Sequence, residues 1–375
     1  MRRTESSSPA TLARMKVLIL GGYGVFGGRL ARLLLQDGIE VIVAGRNFER
    51  AAAFTCQYGG TPLFIDIAKD LSPIAGAAPA LTADAAGPFQ SYGSDPYRVA
   101  RFCIDHKIHY LDLSDDAAFT AGIAGLNERA LAAGCFALSG VSSVPAISAS
   151  AVRFLSEGLS EIQLIETALV PGNRAPRGRS VIGSILSQAG EPLTIWRDGA
   201  WRQHRGWTEA KRVSFGPGFK RWASLIGAPD LQLFPKAFNA RSVVFRAGLE
   251  LGVMHWGLAF LARLRALGLL PGLTVFLGPI LWMSERLKPF GSDRGAMAVG
   301  VTGLKDGRAI RRRWQVIANA GDGPFIPAVP ARAIIRKLKA VDPGARPCLC
   351  DLTLQEIESA MAGLSVEFAT TQEET

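Results

Sequence analysis

Short apolar runs alternate with helix-length segments over residues 16–140. Six of these runs have the character of strands: "KVLIL", "EVIVAG", "PLFIDI", "ALTADAAG", "IHYLDLS" and "CFALSG". Runs rich in Val, Ile and Leu, separated by helix-length segments, are typical of parallel strands that helices cover on both faces. In "FGGRLARLLLQDG", Leu30, Leu33 and Leu34 form one apolar helix face, and Gly38 follows the end of the helix. The pattern predicts the α/β class with a Rossmann-type doubly wound parallel sheet.

A different pattern begins after Gly140, where strands and helices no longer alternate. "EIQLIETALV" alternates with a period of two, and the pairs Asp198-Gly199 and Asp306-Gly307 each lie between strand-like segments, a strong hairpin signal. We therefore expect a second, antiparallel α+β domain that is suited to holding a substrate. The expected organisation is a flexible tail over 1–14, the Rossmann domain over 15–145, the central domain over 146–323, and a helical C-terminal segment over 324–375 that returns to the Rossmann domain.

A glycine-rich turn joins the first predicted strand to the first predicted helix. Gly22, Gly24 and Gly27 form G-x-G-x-x-G at this junction, which is the context that makes the motif specific. The first glycine permits the tight turn, the second lets the backbone approach a pyrophosphate, and the third allows the helix to pack on the strand. The helix N-terminus adds amide donors and a favourable dipole. The sequence predicts a dinucleotide site at these glycines together with Val25 and Phe26.

The end of the second predicted strand indicates which dinucleotide is bound. An NAD-binding protein usually places Asp or Glu here against the ribose hydroxyls, whereas this chain has Arg46 and no acid before Glu49. A guanidinium suits a 2′-phosphate by its charge and its fork of donors, so NADP is favoured over NAD. The alternative is a solvated Arg46 in front of a helix that Asn47 caps. We expect both residues at the cofactor.

Further polar residues follow the later strands, at the edge where open α/β sheets bind ligands. Asp66 is either an adenine contact or a cap of the strand end. We expect Ser142 and Ser143 to orient the nicotinamide or the substrate and Asp112 to hold its loop, because a serine without a partner base is a poor acid. The remaining residues that we expect beside the cofactor at this edge are Gly87, Pro88 and Ser114. Ser139 lies at the same edge, at the end of the sixth predicted strand.

Charge and cysteine content narrow the partners. The net charge of +10 suits nucleic acid, an anionic membrane or an acidic small molecule. Tryptophans are interleaved with basic residues over 174–222. This pattern fits a solvated hairpin, an electropositive entrance for a substrate, or a surface that binds nucleic acid. No nucleic-acid-binding module is recognisable in the sequence. We expect a small-molecule substrate, anionic or apolar, and no nucleic acid. The five cysteines are odd in number and lack the spacing of a zinc site, which favours reduced thiols in a cytoplasmic protein without a metal.

An apolar stretch over 248–283 is too interrupted by Arg263, Arg265 and prolines to span a bilayer. It predicts two helices that belong to the core or to a dimer interface. The alternative is an apolar pocket or a face that lies on a membrane, with the arginines at the headgroups.

These motifs resemble those of the saccharopine dehydrogenase/reductase-like family, chiefly its shorter bacterial members. The resemblance spans nearly the whole chain and rests on "GGYGVFGGRLARLL", "VAGRN", "AAGPFQ", "HYLDLSDD", "SGVSSVPA", "FGSDRGAM" and "GDGPFIPAVPA". It implies NAD(P)-dependent reduction, a central domain that often forms a dimer, and a cofactor cleft contacted by Gly22, Gly24, Gly27 and Arg46 and lined by Gly87, Pro88, Asp112 and Ser114. Family members that act on saccharopine carry Asp-Pro-Gly where this chain has "GVSSVPA", so the resemblance indicates ancestry and not the substrate.

We therefore expect a homodimeric NADP-dependent oxidoreductase that transfers a hydride to a C=N, C=O or C=C bond. Two alternatives remain open at the level of sequence. One is a lipid-associated enoyl or carbonyl reductase at a membrane surface, and the other is a non-catalytic NADP-binding regulator.

Overall fold

The computed structural model describes residues 15–176 and 178–374, so the expected tail over 1–14 lies outside the described residues. The strands, in chain order, are β1 (Lys16–Leu20), β2 (Glu40–Gly45), β3 (Thr61–Phe64), β4 (Leu81–Asp84), β5 (His109–Asp112), β6 (Phe136–Ser139), β7 (Glu161–Val170), β8 (Pro192–Arg197), β9 (Ala200–Arg205), β10 (Lys211–Ser214), β11 (Lys220–Leu225), β12 (Val243–Gly248), β13 (Gly295–Lys305), β14 (Arg308–Ala318), β15 (Gly344–Pro347) and β16 (Val366–Glu374). The α-helices are α1 (Gly27–Gln36), α2 (Phe48–Tyr58), α3 (Ser72–Ala77), α4 (Arg98–Asp105), α5 (Ala117–Gly122), α6 (Asn127–Ala133), α7 (Ser148–Leu155), α8 (Arg179–Gln188), α9 (Pro229–Ala237), α10 (Gly252–Ala266), α11 (Leu277–Arg286), α12 (Val329–Arg336) and α13 (Leu354–Ala360).

Two compact units divide the described chain. Unit 1 comprises the residues up to Ile147 together with Phe325–Ala362, and unit 2 comprises Ser148–Pro324 and the residues from Gly363 onward. The expected return of the whole segment 324–375 to the Rossmann domain is wrong for its last part. Residues 366–374 form β16, which pairs antiparallel with β14 in unit 2.

Unit 1 contains a seven-stranded parallel sheet in the order β15-β6-β5-β4-β1-β2-β3. All six predicted strands are present, and β15 extends the β6 edge. The first six strands have the doubly wound order 3-2-1-4-5-6, in which the direction of winding reverses between β1 and β4. Val17, Leu18 and Ile19 of β1 are completely buried, as expected for a strand covered on both faces. The predicted α/β class and Rossmann-type sheet are confirmed.

The segment that returns to unit 1 is joined to α1 by partly buried ion pairs. Asp37 follows α1 and accepts hydrogen bonds from the guanidinium groups of Arg332 and Arg336 on α12, each with N···O distances of 2.7 and 2.9 Å. Burial alone would raise the pKa of Asp37, but the hydrogen bonds from the two arginines hold it below its usual value. The carboxylate therefore stays charged and links α12 to α1.

Unit 2 contains a seven-stranded sheet in the order β10-β11-β12-β7-β13-β14-β16 and a separate β8-β9 ribbon. Both predicted hairpins are present, with Arg197 opposite Ala200 and Lys305 opposite Arg308. Each two-residue turn has positive φ at both positions, which Asp-Gly adopts at low cost. The sheet is mixed, not antiparallel as expected, because β12 pairs with β7 in parallel.

The apolar stretch over 248–283 forms two helices, as predicted, but the core covers only part of them. Met254, Leu258 and Ala262 on one face of α10 are buried, whereas large apolar side chains on the opposite face are exposed. Among the described residues, none belongs to a helix with the length and apolarity needed to cross a membrane.

Candidate cofactor site

The turn between β1 and α1 is closed by residues without side chains. Gly21 has a φ of +68°, and the amide of Gly24 donates to its carbonyl oxygen at 2.8 Å. A side chain at Gly27 would collide with the same carbonyl oxygen, and a Cβ at Gly22 would lie 2.9 Å from the Ile19 carbonyl oxygen. The predicted glycines therefore let helix, strand and turn approach one another as closely as a dinucleotide-binding turn requires.

Three backbone amides at the start of α1 have no acceptor within the described chain. They belong to Val25, Phe26 and Gly27, whereas the next amide, that of Gly28, donates to the Gly24 carbonyl at 3.0 Å. Free amides at a helix N-terminus bind anions, and the helix dipole adds to the attraction. The residues present therefore fit a pyrophosphate at this turn.

Arg46 lies at the exposed end of β2 and forms no hydrogen bond or ion pair with any described residue. The Asn47 side chain accepts the amide of Arg50 at 2.8 Å, so it caps α2. The Asn47 amide in turn donates to the Tyr23 hydroxyl at 3.0 Å. The Arg50 guanidinium carbon lies 4.9 Å from the centroid of the Tyr23 ring. The residues that follow β2 thus provide two guanidinium groups, those of Arg46 and Arg50.

Asp66, two residues after β3, has the geometry of the strand-end cap. Its carboxylate accepts the amide of Ala68 at 3.2 Å and lies 3.8 Å from the Lys69 ammonium. These two contacts account for the position of Asp66 without any bound ligand. A contact between Asp66 and the adenine of a cofactor stays a prediction.

Asp84 ends β4 and is completely buried. Its carboxylate accepts the amide of Ala86 at 3.0 Å and the hydroxyl of Tyr92 at 2.9 Å. Burial raises the pKa of Asp84 to about 6, and these hydrogen bonds oppose part of the rise. Gly87 and Pro88 form the loop between the two partners, with a positive φ of 28° at Gly87.

Asp112 ends β5, directly opposite Asp84 in the parallel pairing of the two strands. Its Oδ1 accepts the amides of Ser114 and Gly140 at 3.0 and 2.9 Å and the Ser139 hydroxyl at 2.9 Å. Its Oδ2 is buried and has no partner within the described residues. Burial raises the pKa of Asp112 to about 7, against the effect of the three donors. Asp112 thus ties the loops after β5 and β6 together.

Ser142 and Ser143 follow β6 in the same part of unit 1. Both residues are buried, yet neither hydroxyl hydrogen-bonds to another described residue. The structure therefore brings Asp112, Ser114 and Ser139 into one network and leaves the hydroxyls of the two predicted catalytic serines outside it.

Four residues of this edge were missed by the sequence analysis: Tyr23, Arg50, Asp84 and Tyr92. Asp84 could have been identified from the sequence, because it is the last residue of its strand, as Asp112 is. Tyr23 occupies the variable position of G-x-G, so the motif does not specify it. Its ring reaches the start of α2 by passing so close to Gly45 that a Cβ there would collide with it.

In unit 2, all four tryptophans between 174 and 222 contact other parts of the protein, and Trp201 lies against Trp196 although it is half exposed. The indole N–H groups of Trp196 and Trp207 donate to backbone carbonyls, and Trp222 lies against Trp256. Arg177 of this basic stretch lies outside the described residues. Arg294, in the segment "FGSDRGAM", forms no ion pair with a described residue, and its guanidinium carbon lies 4.7 Å from the Phe219 ring centroid.

Over 15–176 and 178–374, no group of three or more His, Cys, Asp or Glu residues is arranged to hold a metal ion. All five cysteines are free thiols.

Together these features define a Rossmann-type α/β protein with a second, mixed-sheet unit. A solved structure shares this architecture. The chain is 15% identical to apo histidine-tagged saccharopine dehydrogenase (L-Glu forming) from Saccharomyces cerevisiae, with a TM-score of 0.65, covering 95% of this chain and 100% of that one. It is 16% identical to an engineered D-amino acid dehydrogenase bound to NADP+, with a TM-score of 0.48 and coverage of 92% and 95%. No family model and no curated protein matches the sequence. The first similarity confirms the resemblance to saccharopine dehydrogenase at the level of the fold.

Proposed function

We propose that this protein is an NADP-dependent oxidoreductase of the saccharopine dehydrogenase-like family, which transfers a hydride to a C=N, C=O or C=C bond of a small molecule. The observation that carries the proposal is the turn before α1, where the amides of Val25, Phe26 and Gly27 lack acceptors within the described chain. A pyrophosphate accepts such hydrogen bonds. Unit 1 is then the cofactor domain, and unit 2 is the substrate and dimerisation domain.

The preference for NADP is supported by the charges that follow β2. Arg46 is exposed and has no acidic partner within the described chain, and Arg50 is fixed over the Tyr23 ring. A 2′-phosphate on the ribose would be attracted by both guanidinium groups, whereas the 2′-hydroxyl of NAD gains little from them. Asn47 serves this arrangement by capping α2.

When bound, the nicotinamide supplies or accepts the hydride, and the protein binds, orients and shields the reacting groups. Ser142 and Ser143 offer hydroxyls without hydrogen-bond partners among the described residues, and we assign them to orienting the ring or the substrate. Asp112 holds the loops on which these residues lie through its three hydrogen bonds. Gly87, Pro88 and Ser114 then line the cofactor, and Asp66 adjoins its adenine end.

The substrate is proposed to be a small anionic or apolar molecule, and not nucleic acid. Arg294 supports an anionic group, because it is a guanidinium without an acidic partner in the described part of unit 2. The free thiols fit a reducing compartment, so we place the protein in the cytoplasm, and the family resemblance supports a homodimer.

Titration of NADPH and NADH fluorescence with Arg46→Asp tests the proposal. We expect NADPH binding to weaken by about 1 to 3 kcal/mol, the usual range for a lost charge-assisted contact, while NADH binding changes little. Arg212→Asp is the matched control, because it makes the same charge change at an exposed position in unit 2. Equal losses for both cofactors, or equal losses in both variants, would contradict the assignment of Arg46.

A further inference from the structure

Exposed apolar side chains are concentrated in one segment of unit 2. Of the sixteen large apolar side chains that are exposed in the described part of the chain, nine lie within residues 253–290. Isolated exposed apolar residues are normal, but a concentration of them marks a binding surface. We call this segment the apolar surface.

Helix α10 shows why this exposure is not incidental. Val253, Trp256 and Phe260 recur at the spacing of one helix face and are exposed, as is Leu267 directly after the helix. The opposite face supplies the buried residues Met254 and Leu258. A helix that rests on a soluble core normally carries polar residues outside. Helix α10 is apolar on both faces, and the protein covers only one.

The apolar surface continues through the turn after α10 and through α11. Leu269 follows α10 and is 67% exposed, Trp282 on α11 is 63% exposed, and Phe290 beyond α11 is 75% exposed. Exposed leucine and aromatic side chains in one segment are typical of segments that insert into the headgroup region of a bilayer.

The charges of this segment are mostly positive. Between residues 252 and 290 there are four basic residues and one acidic residue, which gives a net charge of +3 (4 − 1). Arg265 pairs with Glu191, and Lys288 pairs with Glu285. Arg263 and Arg286 have no acidic partner in the described chain, and the Arg286 guanidinium carbon lies 5.0 Å from the Trp282 ring centroid.

We propose that the apolar surface docks on an anionic lipid bilayer, with its aromatic and leucine side chains at headgroup depth and Arg263 and Arg286 against lipid phosphates. Charge favours lipid over a second copy of the chain, because a symmetric interface would bury two copies of a surface that has the same net positive charge. Anionic lipid neutralises them. The protein would then lie on the membrane without spanning it. This inference does not depend on the proposed reaction.

Vesicle flotation of the full-length protein tests the inference. We expect binding to vesicles that contain phosphatidylglycerol and at least about fivefold weaker binding to phosphatidylcholine alone, since each basic residue near an anionic surface adds attraction. Phe260→Gln with Leu267→Gln should weaken binding to the anionic vesicles by at least about tenfold, because two apolar side chains lose their burial. Arg263→Glu with Arg286→Glu should reduce it by a similar factor.

The matched control is Phe154→Gln with Leu131→Gln. These side chains are 44% and 52% exposed, against 61% and 64% for Phe260 and Leu267, but they lie outside the apolar surface. The control should bind vesicles as the wild type does. All variants should keep the wild-type affinity for NADPH, so a failure here is distinguishable from a failure of the cofactor proposal.

Two results would overturn the inference. One is a wild-type protein that ignores anionic vesicles or binds both kinds equally. The other is a dimer, seen by analytical ultracentrifugation without lipid, that Phe260→Gln with Leu267→Gln dissociates, because a second copy would then cover the apolar surface.

Discussion

Replacement of Asp112 by Asn should change how the stability of unit 1 depends on pH. The Oδ1 atom of Asp112 accepts three hydrogen bonds, which an Asn side-chain oxygen accepts equally well. The buried Oδ2 has no partner in the described chain, so nothing stabilises a second ionised oxygen. Burial therefore raises the pKa of this carboxyl from 3.8 to about 7.

The direction of the effect follows from the raised pKa. The folded protein binds the proton more tightly than the unfolded chain, so the stabilisation is fully present below pH 3.8 and is lost as the pH rises through about 7. Proton linkage gives a loss of about 2 to 3 kcal/mol in the free energy of unfolding between about pH 5 and about pH 8. Asp112→Asn lacks this titration, whereas Asp84 titrates in both proteins. The difference in unfolding free energy between wild type and variant should therefore fall by that amount between about pH 5 and about pH 8.

The distribution of aromatic residues makes the assay specific. All five tyrosines lie in unit 1 and all seven tryptophans in unit 2. Urea unfolding followed by second-derivative tyrosine absorbance therefore reports on unit 1, and tryptophan fluorescence serves as an internal control. The variant should alter the pH dependence of the tyrosine transition alone. Parallel pH dependences for wild type and variant would refute the assignment of a buried, protonated Asp112.

Two further predictions concern catalysis and folding. Ser142→Ala with Ser143→Ala should slow single-turnover reduction of an imine, carbonyl or enoyl substrate by more than about tenfold and change NADPH affinity by less than about threefold, as for contacts made mainly in the transition state. Unchanged turnover, or loss of NADPH binding, would contradict this role. Asp37→Ala should destabilise unit 1 by about 3 kcal/mol in urea unfolding, because it leaves the buried Arg332 guanidinium without its carboxylate. A loss below about 1 kcal/mol would show that the ion pair contributes little.

The parts of the fold that the sequence predicted are those that local patterns determine. Five of the six predicted strands of unit 1 are recognisable because they are short, mainly apolar runs that are mostly buried, whereas the edge strand β3 is only partly buried. The glycine turn and the two Asp-Gly hairpins are recognisable because their backbone conformations require those residue types. The candidate site follows for the same reason, since the carboxyl ends of parallel strands share one edge.

The parts that were missed depend on contacts between distant residues. β15 and β16 are identified as strands by their partners β6 and β14, and β16 carries mostly exposed side chains without an apolar run. Tyr92 becomes part of the site only through its hydrogen bond to Asp84. The exposure of α10 was not predictable, because a helix that is apolar on both faces has the same sequence pattern whether it is buried or exposed.

Hydrogen–deuterium exchange at the start of α1 tests the central claim most directly. If a dinucleotide pyrophosphate is held by the amides of Val25, Phe26 and Gly27, saturating NADPH should slow their exchange by about tenfold or more, because they gain acceptors that the described chain does not provide. The turn at Asp306 and Gly307 in unit 2 should exchange as before. Unchanged exchange at Val25 to Gly27 in the presence of saturating NADPH would contradict the proposed cofactor site.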